Sequence, residues 1–355
     1  MSDYGMRFDR YDVLSVLTRL GIACGVSYVT VKVMMDLLDP TRKQKADAQK
    51  KAELLLSKLN IQRNLKLTEH ELMIASQLLE PKSLLTTWED IGGLTETIKE
   101  LRETVILPLI NRKLFNSRLL QPPKGVLLHG PPGCGKTLLA RATASESGMQ
   151  FINLQVSILT DKWYGESQKL AAAVFSLAVK IQPCIVFIDE IDCFLRTRTG
   201  FDHEATAMMK SQFLSLWDGI ATRNDCMVVV MGATNRPSDL DSAILRRMPC
   251  VFRVNLPNQP QRESILRLML RNESVSDDVN LETLAGRTDG FSGSDLYELC
   301  RTAAITRVRE VCNSGNMPLP DGLRAMTKVD FDVALKKLKS SSVHGLALSH
   351  SPGPD

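Results

Sequence analysis

The chain has 355 residues, 44% of them hydrophobic and 5% aromatic, enough to bury a sizeable core across two globular parts. Its 44 basic and 40 acidic residues leave a net charge of +4, a balance that gives no footprint for nucleic acid. Eight cysteines without a C-x-x-C pair exclude a disulfide frame and a cysteine zinc site, and read as reduced, buried thiols.

Residues 1–12 form a short tail, and 13–31 are a mostly apolar run broken by one charge, Arg19. A bilayer span needs about 20 such residues, and an arginine within it costs roughly 2.5–3.5 kcal/mol on insertion scales, less if it snorkels. The run predicts a single transmembrane helix. An amphipathic surface helix and a cleaved signal are the competing readings, and the absence of a small-residue cleavage site before Lys32 disfavours the signal. Lys32, Arg42, Lys43, Lys45, Lys50 and Lys51 follow the span, against Arg7 and Arg10 before it. The larger, C-terminal part is therefore expected in the cytosol. Gly21 and Gly25 make a short G-x-x-x-G, compatible with close helix approach but common by chance.

Residues 32–84 read as a helical linker. Pro40 ends the membrane segment, and the charged, alanine-rich stretch 43–59 predicts a solvated helix. Thr68 and Glu71 have capping-box spacing. The face made by Leu72, Met73, Ala75, Ser76 and Leu79 then predicts an amphipathic helix, stopped by Pro81, that docks on the body. From Trp88 strand-like and helix-like segments alternate, as in a doubly wound α/β domain assigned to 85–256. A small helical subdomain is expected over 257–340 and a disordered tail over 341–355.

The apolar run 125–129 leads directly into Gly-Pro-Pro-Gly-Cys-Gly-Lys-Thr at 130–137. This is a complete G-x-x-x-x-G-K-T phosphate loop in strand-then-helix context. Gly130, Gly133 and Gly135 permit the tight turn that aims backbone N–H groups at phosphate oxygens, with Pro131, Pro132, Cys134 and Leu138 completing the segment. Lys136 reaches the terminal phosphates, Thr137 offers a hydroxyl to Mg²⁺, and the helix N-terminus favours the same anions. A second apolar run, 184–188, ends in Asp189 and Glu190. Acids at the carboxyl end of a buried parallel strand fall where such sheets bind ligands. Asp189 is placed to hold Mg²⁺ and Glu190 to polarise an attacking water. Asn235 ends a third apolar strand, read at 227–231 beside the acidic one. Trp163 and Tyr164 lie in a polar context. Adjacent residues cannot both face one core from a strand or helix, so at least one is exposed or in a loop.

Further motifs follow in fixed order: Trp-Glu-Asp-Ile-Gly-Gly-Leu at 88–94, Gly-Ala-Thr-Asn-Arg-Pro at 232–237, Leu-Arg-Arg-Met-Pro at 245–249 and Gly-Phe-Ser-Gly-Ser-Asp-Leu at 290–296. Together with the phosphate loop and the acidic strand, they resemble the AAA ATPase family and its meiotic clade over about residues 85–340. The stretches 39–45, 162–167 and 203–210, with the N-terminal anchor, make the chain similar to the thorase-type translocases. Those act at the mitochondrial and peroxisomal outer membranes and extract mislocalised tail-anchored proteins.

The resemblance implies ATP and Mg²⁺ as ligands, a homohexameric ring, tail-anchored substrates, and residence in the mitochondrial outer membrane with the peroxisome as a second destination. It implies no nucleic-acid partner. It makes Asn235 the sensor that orients water, and Arg246 and Arg247 fingers supplied in trans. Ile91 and Gly92 lie against adenine, and Gly293 and Ser294 open a helix near the nucleotide. The usual second-sensor arginine has no counterpart, so closure of the small subdomain is expected through backbone contacts at the Gly-Ser-Asp turn. Trp163 and Tyr164 correspond to a substrate-gripping pore loop and His203 to a second one. Disassembly of membrane complexes is a compatible alternative. A severing enzyme for microtubules shares the ATPase core, but no long basic linker is present here.

Overall fold

The computed structural model describes residues 42–58, 66–79, 86–111, 113–115, 117, 120–159, 166–195, 204–222, 226–314 and 323–341, with scattered positions between 19 and 30. The expected membrane span therefore lies largely outside the described residues, although the six of its positions that are described, Arg19, Ala23, Gly25, Ser27, Tyr28 and Thr30, are helical. Among the described residues no helix is long and apolar enough to cross a membrane.

Two linker helices come first, α1 (Arg42–Lys58) and α2 (Glu69–Ala75). Thr68 and Glu71 form the expected capping box: Thr68 Oγ1 accepts from the Glu71 N–H, and the Glu71 carboxylate accepts from the Thr68 N–H. Two expectations are corrected here. Leu79 does not continue α2; the helix ends at Ala75, and Leu78–Leu79 form a short strand, β1, antiparallel to the sheet. Nor is α1 simply solvated, because Ala52 and Leu55 are buried in the main core. A charged helix reads as solvated by composition, yet two apolar positions three apart suffice to seat it.

A 3₁₀ turn (Trp88–Asp90) and α3 (Thr95–Leu101) lead to β2 (Gly125–His129) and α4 (Lys136–Ser147). Then follow β3 (Gln150–Leu154), α5 (Glu166–Lys180), β4 (Cys184–Ile188), α6 (Glu204–Ala221) and β5 (Val228–Thr234). The large part closes with α7 (Ser242–Arg247) and β6 (Cys250–Arg253). The strands form one sheet in the order β1-β3-β4-β5-β2-β6, parallel throughout except for β1.

The central strands read as continuous apolar runs because both faces are covered. Along β4, Cys184, Val186 and Ile188 face one core layer with α5 and α6, while Ile185 and Phe187 face the other with α4. On the first side Phe213 meets Phe194 and Trp217 edge to face, with centroids 5.2 and 6.3 Å apart. Four helices, α8 (Gln259–Met269), α9 (Leu281–Arg287), α10 (Gly293–Ser314) and α11 (Lys328–Ser341), build a separate core around Leu266, Leu296, Leu299, Ala303 and Phe331.

Candidate nucleotide-hydrolysis site

Parallel register brings three strand ends together. Ile188 pairs with Gly232 of β5, and His129 of β2 pairs with Thr234. The segments after them, 189–190, 235 and 130–137, therefore meet at one carboxyl edge of the sheet, where open α/β folds bind ligands.

The loop after β2 bends where glycine is required. Gly133 has φ +75°, and a Cβ there would meet the hydroxyl oxygens of Ser292 and Ser294 at 2.7 and 2.9 Å. Gly130, at φ +148°, lies against the Val254 carbonyl with no room for a side chain. Gly135 caps α4, whose first residue is Lys136, so unpaired N–H groups and the positive helix end face the loop. Lys136 Nζ donates to the carbonyls of Gly130 and Pro131 at 2.8 and 2.7 Å, which holds the ammonium inside the loop. Burial lowers its pKa, opposed by Cys134 and Asp189. His129, beneath the loop, is likewise lowered, first by burial and then by Arg253 and Lys136.

Thr137 Oγ1 donates to Asp189 Oδ2 at 2.8 Å. Two hard oxygens from different elements thus stand side by side next to the loop, a donor set that fits Mg²⁺ and suits a cation that keeps most of its waters. Glu190 is the one described non-glycine residue with positive φ, at +48°. Its N–H is held by Asp189 Oδ1 at 3.0 Å, and its exposed carboxylate meets the Cys193 thiol, Sγ to Oε2 3.9 Å. Below them the buried Thr234 hydroxyl donates to Asp192 at 2.6 Å and accepts from the Arg236 N–H at 2.9 Å, which sets the turn that exposes Asn235.

A cavity of about 630 Å³ gathers these groups, lined by Ile91, Gly92, residues 132–138, Asp189, Glu190, Asn235, Gly293 and Ser294. Gly130 and Pro131 lie behind it and serve Lys136 through their carbonyls. The Ser294 N–H donates to the Gly133 carbonyl at 3.1 Å, a backbone bond that joins the helical subdomain to the loop.

The chain matches the family model of the ATPase family associated with various cellular activities (AAA) over residues 126–256 and that of the AAA+ lid domain over 278–318. It is 59% identical to a Danio rerio protein named outer mitochondrial transmembrane helix translocase, covering 95% of this chain and 93% of that one. The Homo sapiens protein of the same name is 58% identical, with 94% and 92% covered. The chain belongs to the AAA ATPase family. Among solved structures, the FIGL-1 AAA domain is similar with a TM-score of 0.64 and 39% identity, covering 71% of this chain and 83% of that one.

As an AAA ATPase the protein is a nucleotide-binding ATP hydrolase, and its remaining expected residues divide into three groups. Arg246 is exposed and carries no partner bond of its own among the described side chains. Arg247 instead forks onto Asp218, Nε to Oδ1 2.7 Å and Nη2 to Oδ2 2.6 Å, and donates to the Ala243 carbonyl. Trp163, Tyr164 and His203 lie outside the described residues. The cavity also contains residues that sequence reasoning missed: Asp90, Leu94, Ile265, Leu268, Met269 and Tyr297. Ile265, Leu268 and Met269 repeat at three and four residues on α8, a spacing that a packed lid core would produce equally.

Proposed function

We propose that this chain is a membrane-anchored, ATP-driven translocase that extracts mislocalised tail-anchored proteins from the mitochondrial outer membrane, and from peroxisomes, by drawing them through a homohexameric ring. One observation carries the reading: near-full-length similarity to outer mitochondrial transmembrane helix translocases, in a chain with an unbroken hydrolysis site. Residues 13–31 anchor the chain, and the ATPase part, 85–256 with its lid at 257–340, faces the cytosol.

In this reading Lys136 leaves its loop carbonyls to meet the terminal phosphates of ATP, while residues 133–135 present N–H groups to them. Mg²⁺, held by Thr137 and Asp189, would offset charge on the β- and γ-phosphate oxygens. Glu190 takes a proton from the attacking water, and Asn235 holds that water in line. Ile91 and Gly92 flank the base, and Gly293 and Ser294 close the lid through the backbone. Arg246 and Arg247 of a neighbouring copy complete the site, a contribution worth roughly 10³–10⁵ in rate where such fingers operate. Trp163 and Tyr164 grip the substrate chain with little sequence preference, and His203 lies in a second pore loop.

The cellular test replaces the endogenous protein with this chain or its Glu190→Gln form and follows the lifetime of a mislocalised tail-anchored reporter. Rapid clearance with the unmodified chain alone is expected. Equal clearance with both would overturn the reading.

A further inference from the structure

The nucleotide cavity has two chemically different ends. Lys136, Thr137, Asp189, Glu190 and Asn235 make one polar, and the phosphates belong there. Ile91, Ile265, Leu268, Met269 and Tyr297 line the other. Four of these are aliphatic; Tyr297 is the single aromatic residue of the whole lining. It is also 60% exposed, the most exposed aromatic among the described residues of the ATPase part.

We infer that Tyr297 is the stacking platform for the nucleotide base. It lies on α10, four residues beyond Gly293, about one turn of helix. The first turn of α10 is fixed to the phosphate loop, because the Ser294 N–H donates to the Gly133 carbonyl at 3.1 Å. The Ser292 and Asp295 side chains lock the same turn, with Ser292 Oγ to Asp295 Oδ2 at 2.7 Å. The ring therefore stands at a set distance from the phosphate cradle, and it moves with the lid. A purine has two apolar faces. Ile91 and the α8 side chains supply an aliphatic wall, and an aromatic ring supplies a stacking surface that is strong yet tolerant of base identity. The same ring borders a second, 270 Å³ cavity in the lid with Met269, Leu270 and Cys300. A purely structural role for Tyr297 would lie on that side.

The inference rests on the ATPase assignment, and the test separates the two. Full-length chain is titrated calorimetrically with Mg·ATP, and Mg·tripolyphosphate, which has no base, is measured by displacement. Tyr297→Ala should weaken Mg·ATP about 5- to 150-fold, the range for loss of one base–aromatic stack, and leave tripolyphosphate within about twofold. Tyr297→Phe should restore ATP affinity, since the ring and not the hydroxyl does the stacking. Lys136→Ala should weaken both ligands. Equal weakening of both ligands by Tyr297→Ala, or no weakening of either, overturns the inference while the ATP site stands. Failure of the unmodified chain to bind Mg·ATP overturns the ATPase assignment itself.

Discussion

Glu190 occupies a left-handed backbone conformation that non-glycine residues adopt rarely. Such a conformation costs on the order of 1–3 kcal/mol and persists only where the surroundings fix it. Here they are the Asp189 side chain, which takes the Glu190 N–H, and the turn at Ile191–Phe194 that starts on the Glu190 carbonyl. The strain turns the carboxylate away from the buried strand toward the cavity. Glu190→Gln keeps the shape and the strain but removes the carboxylate proposed as the base. It should bind Mg·ATP as before and lose about 10²–10⁴-fold in turnover, measured by steady-state phosphate release.

The two neighbouring arginines separate by the same kind of reasoning. Arg247 also has a partner within its own chain, the Asp218 carboxylate, and that fork raises its pKa and lowers that of Asp218. Asp218 is half exposed, so the pair stabilises the fold by about 1 kcal/mol at most. Arg247→Ala should lower the melting temperature by a few degrees and also reduce turnover. Arg246→Ala should reduce turnover with no change in melting temperature. Equal thermal effects of the two substitutions would contradict this division of labour.

At the scale of elements, the linker is clamped to the ATPase body through one buried carboxylate. Glu71, 2% exposed, takes Lys180 Nζ at 2.6 Å, Ser176 Oγ at 2.6 Å and its own cap N–H at 2.7 Å. Lys180 and Ser176 belong to α5, whose other end follows directly on Trp163 and Tyr164. Burial pushes the Glu71 pKa up, but the bonds from Lys180, Ser176 and Thr68 outweigh it and hold it below its ordinary 4.5. A lowered carboxylate pKa stabilises the fold fully above the unfolded value, and this is lost as pH falls through the folded one. Linker docking should therefore be intact at neutral pH and loosen below about pH 4.5, read by hydrogen exchange across 69–75. Glu71→Ala should loosen it at pH 7 as well, at a cost of about 1–3 kcal/mol.

In the lid, Asp330 is held at about 2 by Arg324, against its ordinary 3.8. Its share of lid stability should be complete above about pH 4 and fade toward pH 2 by the same sign, visible as a fall in melting temperature that is smaller in Asp330→Asn.

The elements that sequence made plain are those encoded by neighbours in the chain. The phosphate loop, the acidic strand end and the Thr68/Glu71 cap each place their chemistry within eight residues. What escaped reading depends on contacts between distant segments. Ala52 and Leu55 look solvated until the body is there to receive them. Leu79 fits a helical period until β3 offers Phe151 and Ile152 as strand partners. Ile265, Leu268 and Met269 satisfy the periodicity of a lid core, against which Ile265 and Met269 do pack, and only the assembled cavity shows that all three also line the site.

For the whole molecule, the site lies between two parts with separate cores, joined by the packing of Gly92 and Gly93 on α8 and by a backbone bond at the phosphate loop. The Ser294 N–H on the Gly133 carbonyl, with Ser292 beside it, couples the lid directly to the loop that holds phosphate. Binding and release of nucleotide can thereby move the lid as a unit. Gly133→Ala would place a methyl against both serine hydroxyls at a positive φ. It should open this joint and weaken Mg·ATP binding about tenfold or more, in calorimetry, since both strain and lost lid contact act against the closed state.

In the proposed function, the hydrolysis cycle pulls proteins out of a bilayer. The most direct measurement is release of a labelled tail-anchored protein from liposomes carrying the full-length chain, with Glu190→Gln and the double substitution Trp163→Ala and Tyr164→Ala in parallel. ATP-dependent release is expected from the unmodified chain alone, with the Trp163/Tyr164 variant still turning over ATP. ATP turnover without any release by the unmodified chain, or equal release by all three, would contradict it.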